Sequence, residues 1–324
     1  MAASFFHRQH AVNLAVIRII IGAYFVYTLV DRLRGWRNVA DGRTDDFVPV
    51  GVIDLLLTAP LPLEAWDLFY TTTIVFCTLF CVGLGFRFTG PACGVLFLIL
   101  LSYRNSWSFI FHTWNLMAVN ALVFGFAPSA DTWSLDALLR RRLPNSRAVR
   151  WICGSTREEA VSWRYSWPVQ LNLLLTGIAY WIAGVAKLFH SDGLTWAFDA
   201  HLLDHVGNNA LRYVFLNDGA TSLTYEVYSL PIEVWIGLGL LTLAVELGAP
   251  LAVLHRRMAL VLALTLFGFH WGVKVLMGIN FDYQLYGVAF VPFLRWDRAW
   301  ARMRKMMGRS LSGRVTRISL DDLD

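Results

Sequence analysis

Four ionisable side chains stand in stretches of the sequence that are otherwise apolar. They are His112, Lys187, His270 and Lys274. A charge inside a membrane-type segment costs free energy, so each of these residues is a candidate for function. A lysine that is shielded from water can lose its proton and serve as a neutral base. The sequence therefore predicts proton-transfer chemistry around Lys187, provided that the fold brings the four side chains together.

Lys187 ends a stripe of small and aromatic residues. Gly184, Tyr180 and Gly177 precede it by three, seven and ten residues, which places all four on one face of a helix. The glycines would let another helix or a flat ligand approach the amine. Two interpretations of Lys187 stay open: a desolvated base, or a lysine near a helix end that extends to the interface. Single histidines in such segments are also typical of packing or hydrogen-bonding residues.

Long uncharged runs must position these side chains. Apolar residues make up 56% of the chain, and the runs have the length that a helix needs to cross a bilayer. No alternating pattern of the outer-membrane barrel type occurs. The sequence therefore predicts an all-α, polytopic membrane bundle of about eight transmembrane helices. The predicted spans are residues 12–30, 66–85, 89–104, 108–126, 168–188, 231–254, 258–276 and 281–295.

Basic residues set the predicted orientation. With the amino terminus inside, the inner loops hold the cluster RRRLPNSRAVR and the basic segment after the last span, whereas basic residues outside lie mainly in the first loop. This asymmetry follows the positive-inside rule. It predicts a transmembrane domain over residues 1–296, a basic cytoplasmic tail over residues 297–324, and both termini in the cytoplasm. The four ionisable side chains then lie toward the outer face.

A second polar pair is expected nearer the inner face. Arg18 lies in the first predicted span and Glu246 in the sixth. An unpaired guanidinium in hydrocarbon would be far more costly than a paired one, so the two residues are predicted to pair. The pair is typical of a structural contact that holds two helices together.

Several kinds of site are not indicated. The four cysteines have no metal-ligand spacing, and the chain has no phosphate-binding glycine loop, HExxH pattern or GxSxG turn. No metal is predicted. There is also no hydrophilic domain large enough to bind nucleic acid. The outer segment over residues 189–230 has helical apolar spacing and predicts either a surface helix or a lid over an outward-facing cavity.

Four motifs occur in an order that resembles a known family. They are VIRIIIGAYFVYTLVDRL, WSLDALL, AYWIAGVAKL and FHWGVKVLMGINFDYQL. By these motifs the chain resembles the HTTM family, which comprises the transmembrane region of vitamin K-dependent γ-glutamyl carboxylase and its bacterial relatives. The resemblance covers about residues 10–296. It implies a bacterial cell-membrane protein.

The resemblance also implies roles for individual residues. The lysine of the AGVAKL motif, Lys187, would be the catalytic base. His112 and His270 would orient the oxygens of a reduced naphthoquinone. Further side chains would line the cofactor site, while Arg18 and Glu246 match the family's arginine in the first span and its acid in the sixth. The residues expected to line the cofactor site are Tyr180, Gly184, Lys274 and Asn115.

The activity implied is oxygenation of reduced vitamin K or menaquinone, with O2 and CO2 as co-substrates and a possible peptide to modify. The 324 residues are not expected to include the large extramembranous domain with which the carboxylase holds its substrate. A second hypothesis is therefore a non-catalytic membrane factor for the maturation, export or immunity of a small secreted peptide. In that case the polar cluster would be a docking or structural network.

Overall fold

The computed structural model describes residues 5–31, 35, 46–107, 114–154, 160–190, 193–216 and 229–308. Its α-helices are α1 (Ala11–Asp31), α2 (Leu63–Val82), α3 (Phe86–Asn105), α4 (Asn115–Gly125), α5 (Leu135–Arg142), α6 (Arg147–Cys153), α7 (Trp167–His190), α8 (Thr195–Phe198), α9 (His201–Leu216), α10 (Ile232–Gly248), α11 (Arg256–Met277), α12 (Asp282–Leu285) and α13 (Trp296–Gly308). Short 3-10 helices cover Gly51–Ile53, Trp163–Tyr165, Ala249–Val253 and Val288–Phe293. Strands β1 (Gln9–His10) and β2 (Val161–Ser162) form a two-stranded antiparallel sheet.

The prediction of an all-α membrane protein is confirmed for the fold class, whereas the predicted number of about eight spans is not. Six described stretches are helical, long and apolar enough to cross a membrane, which fits a multi-pass protein. They are Ala11–Asp31, Leu63–Val82, Phe86–Asn105, Trp163–Phe189, Ile232–Val253 and Arg256–Met277. Each matches one predicted span to within a few residues.

The two remaining predicted spans differ. Within 108–126, the described part is α4, which has 11 residues, and residues 108–113 lie outside the described part of the chain. The single helix predicted over 281–295 is wrong. Gly287, with φ of 74°, separates α12 from the 3-10 helix Val288–Phe293. All six residues of that 3-10 helix are buried, so its apolar character reflects packing inside the protein.

The described chain divides into two compact units, with the boundary inside α7. The first unit comprises Ser4–Asn172 and Leu294–Asp324, and the second comprises Leu173–Phe293 with Met1–Ala3. The predicted boundary at residue 296 stays a prediction, and residues 309–324 of the predicted tail lie outside the described residues.

Close helix packing builds the first unit. Helices α3 and α4 meet at Gly90 and Gly125, where a Cβ on either glycine would lie 2.5 Å from the carbonyl oxygen of the other. No larger residue fits this contact without moving a backbone. Phe25 of α1 stacks on Phe97 of α3, with ring centroids 4.7 Å apart. These contacts fix α1, α3 and α4 as one packed core.

Arg18 is fully buried in the first unit and is satisfied by backbone carbonyls. Its guanidinium donates to the carbonyl oxygens of Phe80 and Cys81, in the last turn of α2, and to those of Ser129 and Trp133. The last carbonyls of a helix have no partner within the helix and carry partial negative charge. Arg18 therefore joins α1 to the end of α2 and to the segment before α5.

The second unit is built from the end of α7 with α8, α9, α10 and α11. Gly177 of α7 packs against the backbone of the segment after α10, because a Cβ there would lie 2.9 Å from the Ala249 carbonyl oxygen. The short helix α8 lies against α10 at Gly239, where a Cβ would be 3.2 Å from the Ala197 Cα. Glycines on α7 and α10 thus let α7, α8 and the end of α10 pack closely together.

His10 precedes the first residue of α1 and accepts a hydrogen bond on Nδ1 from the Val12 N–H at 3.1 Å. Burial lowers the pKa of this half-buried imidazole below its ordinary value of 6.5, and Arg304 lowers it further, while Asp297 opposes the shift. The proton is therefore bound less tightly in the folded state than in the unfolded state. Folding should lose stability as the pH falls through about 6.5, and the loss should level off below the folded-state pKa.

We predict that His10→Gln reduces the drop in melting temperature that detergent-solubilised protein shows between pH 7.5 and pH 5.5. The variant removes the group whose protonation opposes folding. His255→Gln is the matched control, because the exposed His255 accepts from the Arg257 N–H in the same geometry at the start of α11. An unchanged drop in His10→Gln would contradict this assignment.

Candidate functional site

Lys187 and Glu246 form an ion pair between α7 and α10. The Lys187 Nζ donates to both carboxylate oxygens of Glu246 at 2.7 Å. The Glu246 side chain is 5% exposed and the Lys187 side chain 26%. The Glu246 carboxylate has almost no access to water and depends on the amine as its partner, whereas Lys187 keeps partial access to solvent.

Gly184 makes this pair possible. A Cβ at position 184 would lie 3.0 Å from the Glu246 Cβ and 3.1 Å from a methyl carbon of Leu247. Of the two partners that the glycine stripe predicts, a helix or a flat ligand, the helix α10 occupies this face. Gly184 therefore positions the ion pair and does not contact a cofactor from this face.

Trp196 of α8 covers the Lys187 amine. The Nζ lies 5.4 Å from the centroid of the indole ring, within the range of a cation–π contact. Trp196 is buried and packs with Ala197 and Leu243. The chain returns over Lys187 through Gly193, whose φ of 81° favours glycine and whose N–H donates to the Leu188 carbonyl. The amine thus points between helices, which differs from the alternative of a lysine extended to the interface.

A second polar contact joins α7 to α11. The Tyr180 hydroxyl and the His270 Nε2 are 2.6 Å apart, and the histidine tautomer decides which of them donates. His270 is 3% exposed and packs its ring 4.8 Å from that of Phe281. Its Nδ1 has no hydrogen-bond partner among the described residues. This nitrogen can therefore bind a ligand without breaking a contact of the protein.

The two contacts belong to one polar cluster, which comprises Lys187, Glu246, Tyr180 and His270. Tyr180 precedes Lys187 by two helical turns, so the two side chains lie on the same face of α7. The cluster draws side chains from α7, α10 and α11. The Lys187–Glu246 pair and the Tyr180–His270 contact share helix α7, and the expected meeting of Lys187 with His270 stays a prediction.

Other predicted site residues lie elsewhere or cannot be placed. Lys274 is exposed and lies over the ring of Trp271, with its Nζ 5.1 Å from the centroid. Asn115 is exposed at the first turn of α4, in the first unit. His112 lies outside the described residues, so its role stays a prediction.

The predicted pair of Arg18 with Glu246 is wrong. The Arg18 guanidinium is occupied by backbone carbonyls of the first unit, and both Glu246 oxygens accept from Lys187. Each side chain is satisfied where it lies. The physical reason is that helix ends offer carbonyl acceptors which residue types do not reveal.

An apolar cavity of about 320 Å³ lies among α9, α10 and α11. Among the described lining residues, Thr242 and Thr265 carry hydroxyl groups, and Gly268 leaves space on the side of α11. Val245 and Phe269, the sequence neighbours of Glu246 and His270, also line it. A small flat apolar molecule fits a cavity of this size and lining.

Sequence reasoning missed Trp196 and the correct partner of Lys187. The pattern TWAF after Gly193 was part of a predicted lid or surface helix. A large aromatic residue a few positions beyond a turn-forming glycine is the signal that could have identified the cover.

We predict that Lys187→Met lowers the free energy of unfolding by about 3 kcal/mol, since it leaves the buried Glu246 carboxylate unpaired. Glu246→Met should cost less, because the remaining amine is partly exposed and can extend to solvent. The double variant should be more stable than Lys187→Met. Unfolding of detergent-solubilised protein by a denaturing detergent measures all three.

Lys274→Met is the control for these three variants, because that lysine is exposed and its amine lies over the ring of Trp271. It should change the free energy of unfolding by less than about 1 kcal/mol. Strictly additive effects of the two single substitutions would show that Lys187 and Glu246 do not interact.

No family model, curated protein or solved structure matches this sequence. The resemblance to the HTTM family therefore stays a prediction that depends on the four motifs. Any assignment of function must come from the contacts of the polar cluster and the cavity beside it.

Proposed function

We propose that this chain is a multi-pass membrane enzyme that initiates the oxygenation of a reduced naphthoquinone, with Lys187 as the base. The observation that supports it is the polar cluster itself: a lysine–glutamate pair covered by Trp196 and, two turns earlier on α7, a tyrosine in contact with a buried histidine whose Nδ1 has no hydrogen-bond partner among the described residues. Each of these groups can hold or move a proton.

Glu246 gives Lys187 a way to become neutral. In the ion pair the amine carries the proton, and both carboxylate oxygens lie within 2.7 Å of it. Transfer of that proton to Glu246 leaves a neutral amine and a neutral carboxylic acid, and low-dielectric surroundings reduce the cost of this change. The amine can then accept a proton from a hydroxyl group of the substrate.

The residues present fit a reduced naphthoquinone. The apolar cavity among α9, α10 and α11 suits its rings, although no member of the polar cluster is among the lining residues. The proposal therefore requires the ring system to extend from the cavity to the His270 Nδ1, which has no hydrogen-bond partner among the described residues. Tyr180 holds the His270 ring in place through Nε2. When bound, the quinone would supply an acidic hydroxyl and, with O2, the oxidising chemistry that the family resemblance implies.

The remaining parts of the proposal follow the resemblance and the charge distribution. Oxygenation is coupled to the use of CO2 and to modification of a peptide at the outer face of a bacterial cell membrane. Both termini lie in the cytoplasm. In support, basic residues concentrate on α5, α6 and α13, which is the pattern of cytoplasmic segments.

One observation favours a second candidate function. The Lys187 amine donates to both carboxylate oxygens of Glu246, so each charge already has its hydrogen-bond partner. The pair can therefore also be a purely structural contact. In that case the chain is a non-catalytic membrane factor for the maturation, export or immunity of a small secreted peptide.

We predict that wild-type protein incubated with chemically reduced menaquinone, O2 and CO2 forms quinone epoxide, detected by mass spectrometry. Lys187→Ala should lower the rate at least about 100-fold, as expected for loss of a general base. Lys187→Arg should lower it equally, because arginine keeps its proton. Lys305→Ala, which removes an exposed lysine of α13, is the control and should keep full activity.

The two candidate functions give different results. Epoxide from Lys187→Ala at the wild-type rate would exclude Lys187 as the base. If wild type forms no epoxide, and Lys187→Arg fully supports production of the secreted peptide in cells, the non-catalytic function is the correct one.

A further inference from the structure

A second, larger cavity lies at one end of the first unit and has a volume of about 790 Å³. It is bounded by the start of α3, by the segment between α4 and α5, by α6, and by the 3-10 helix Trp163–Tyr165. Neither the polar cluster nor the proposed reaction uses any of these residues. The cavity therefore needs an explanation of its own.

Arginines dominate the charge of this cavity. Its lining includes Arg87, Arg140, Arg150 and Arg164, together with the acidic residues Asp131 and Asp136. Arg87 lies on α3, Arg150 on α6 and Arg164 on the 3-10 helix, so three separate elements direct a guanidinium toward one space. Convergence of this kind is typical of a site for an anion.

Both acidic residues accept hydrogen bonds within the cavity wall. Asp136 accepts hydrogen bonds from the Gly85 and Phe86 N–H groups at 2.7 and 2.8 Å, which caps the start of α3. Asp131 accepts from the Tyr165 hydroxyl at 2.9 Å. Arg140 is buried and donates to the carbonyl oxygens of Cys153, Ala130 and Asp131. These contacts form the wall and leave three other arginines to face a ligand.

Arg87, Arg150 and Arg164 are exposed, and none forms an ion pair with another described residue. Burial, followed by the neighbouring Asp136, raises the pKa of the Cys153 thiol in the same lining to about 11. Cys153 is therefore a neutral thiol at physiological pH. With two acids against four arginines, the lining has a net positive charge.

The position of the cavity indicates where its ligand comes from. Two membrane-length helical stretches, Phe86–Asn105 and Trp163–Phe189, both begin at the cavity. Exposed aromatic residues surround it: Phe126 and Trp163 line it, and Trp151 packs on Phe88 beside it with centroids 5.3 Å apart. Trp residues at the ends of membrane helices mark the level of the lipid headgroups.

We propose that this cavity binds the phosphate group of an anionic phospholipid from the surrounding bilayer. Arg87, Arg150 and Arg164 contact the phosphate oxygens, and the exposed Phe88 and Phe126 contact the upper part of the acyl chains. Basic pockets at the ends of membrane helices favour anionic headgroups in this way. A soluble phosphate ester shares the phosphate chemistry but would make no use of the exposed aromatic rim.

Native mass spectrometry of the full-length, detergent-purified protein tests this proposal. Dioleoylphosphatidylglycerol and dioleoylphosphatidylcholine are titrated separately against wild type, Arg87→Ala, Arg150→Ala and Arg164→Ala. Wild type should retain the anionic lipid preferentially, and each substitution should weaken its retention about fivefold. Arg141→Ala, which removes an exposed arginine of α5 outside the lining, is the matched control and should retain the lipid as wild type does.

Three results would overturn the proposal. Equal retention of the two lipids would show that the cavity does not recognise the anionic headgroup. An equal loss in Arg141→Ala would assign binding to the basic surface as a whole. Displacement of the lipid by glycerol 3-phosphate at an equal concentration would identify a soluble phosphate ester as the ligand. Unchanged melting temperatures of the three variants exclude a folding defect, since all three arginines are exposed.

Discussion

Between helices that are surrounded by hydrocarbon, a charged side chain must find its partners inside the protein. This chain meets the requirement in two ways. Arg18 is surrounded by backbone carbonyls, two of them from the end of α2, whereas Lys187 is matched by one carboxylate, Glu246. Both solutions join elements that are distant in sequence, so the positions of α1, α2, α7 and α10 depend on them.

Helix positions could be predicted well because hydropathy follows directly from residue type. Six predicted spans correspond to helical stretches such as Ala11–Asp31 and Arg256–Met277. The membrane span predicted from hydropathy over 281–295 was wrong, because the apolar run Val288–Phe293 is buried inside the protein. Hydropathy reports how much free energy is gained when a side chain leaves water. That gain is similar in the protein interior and in lipid, so hydropathy does not distinguish the two. Only Gly287 and Pro292 signalled that this run is not one continuous helix.

The candidate site could be predicted only in part. Hydropathy identified Lys187 and His270 as ionisable side chains in apolar segments, and helical periodicity placed Tyr180, the partner of His270, on the face of Lys187. The partner of Lys187 could not be predicted, because the rotation and register of α10 depend on where Gly184 lets it approach. Trp196 was missed because α8 has only four residues, too few for its spacing to show which face packs against Lys187.

The two buried cations also differ in what they can do chemically. Carbonyl oxygens stabilise the Arg18 charge but cannot accept its proton, and a guanidinium keeps that proton under ordinary conditions. Arg18 is therefore a permanent charge that fixes structure. Lys187 faces a group that can take up a proton, so its pair can change from charged to neutral without altering the net charge of the site. Since a change in net charge is what a low-dielectric interior resists most, proton transfer within this chain is favoured at Lys187 and Glu246 over Arg18.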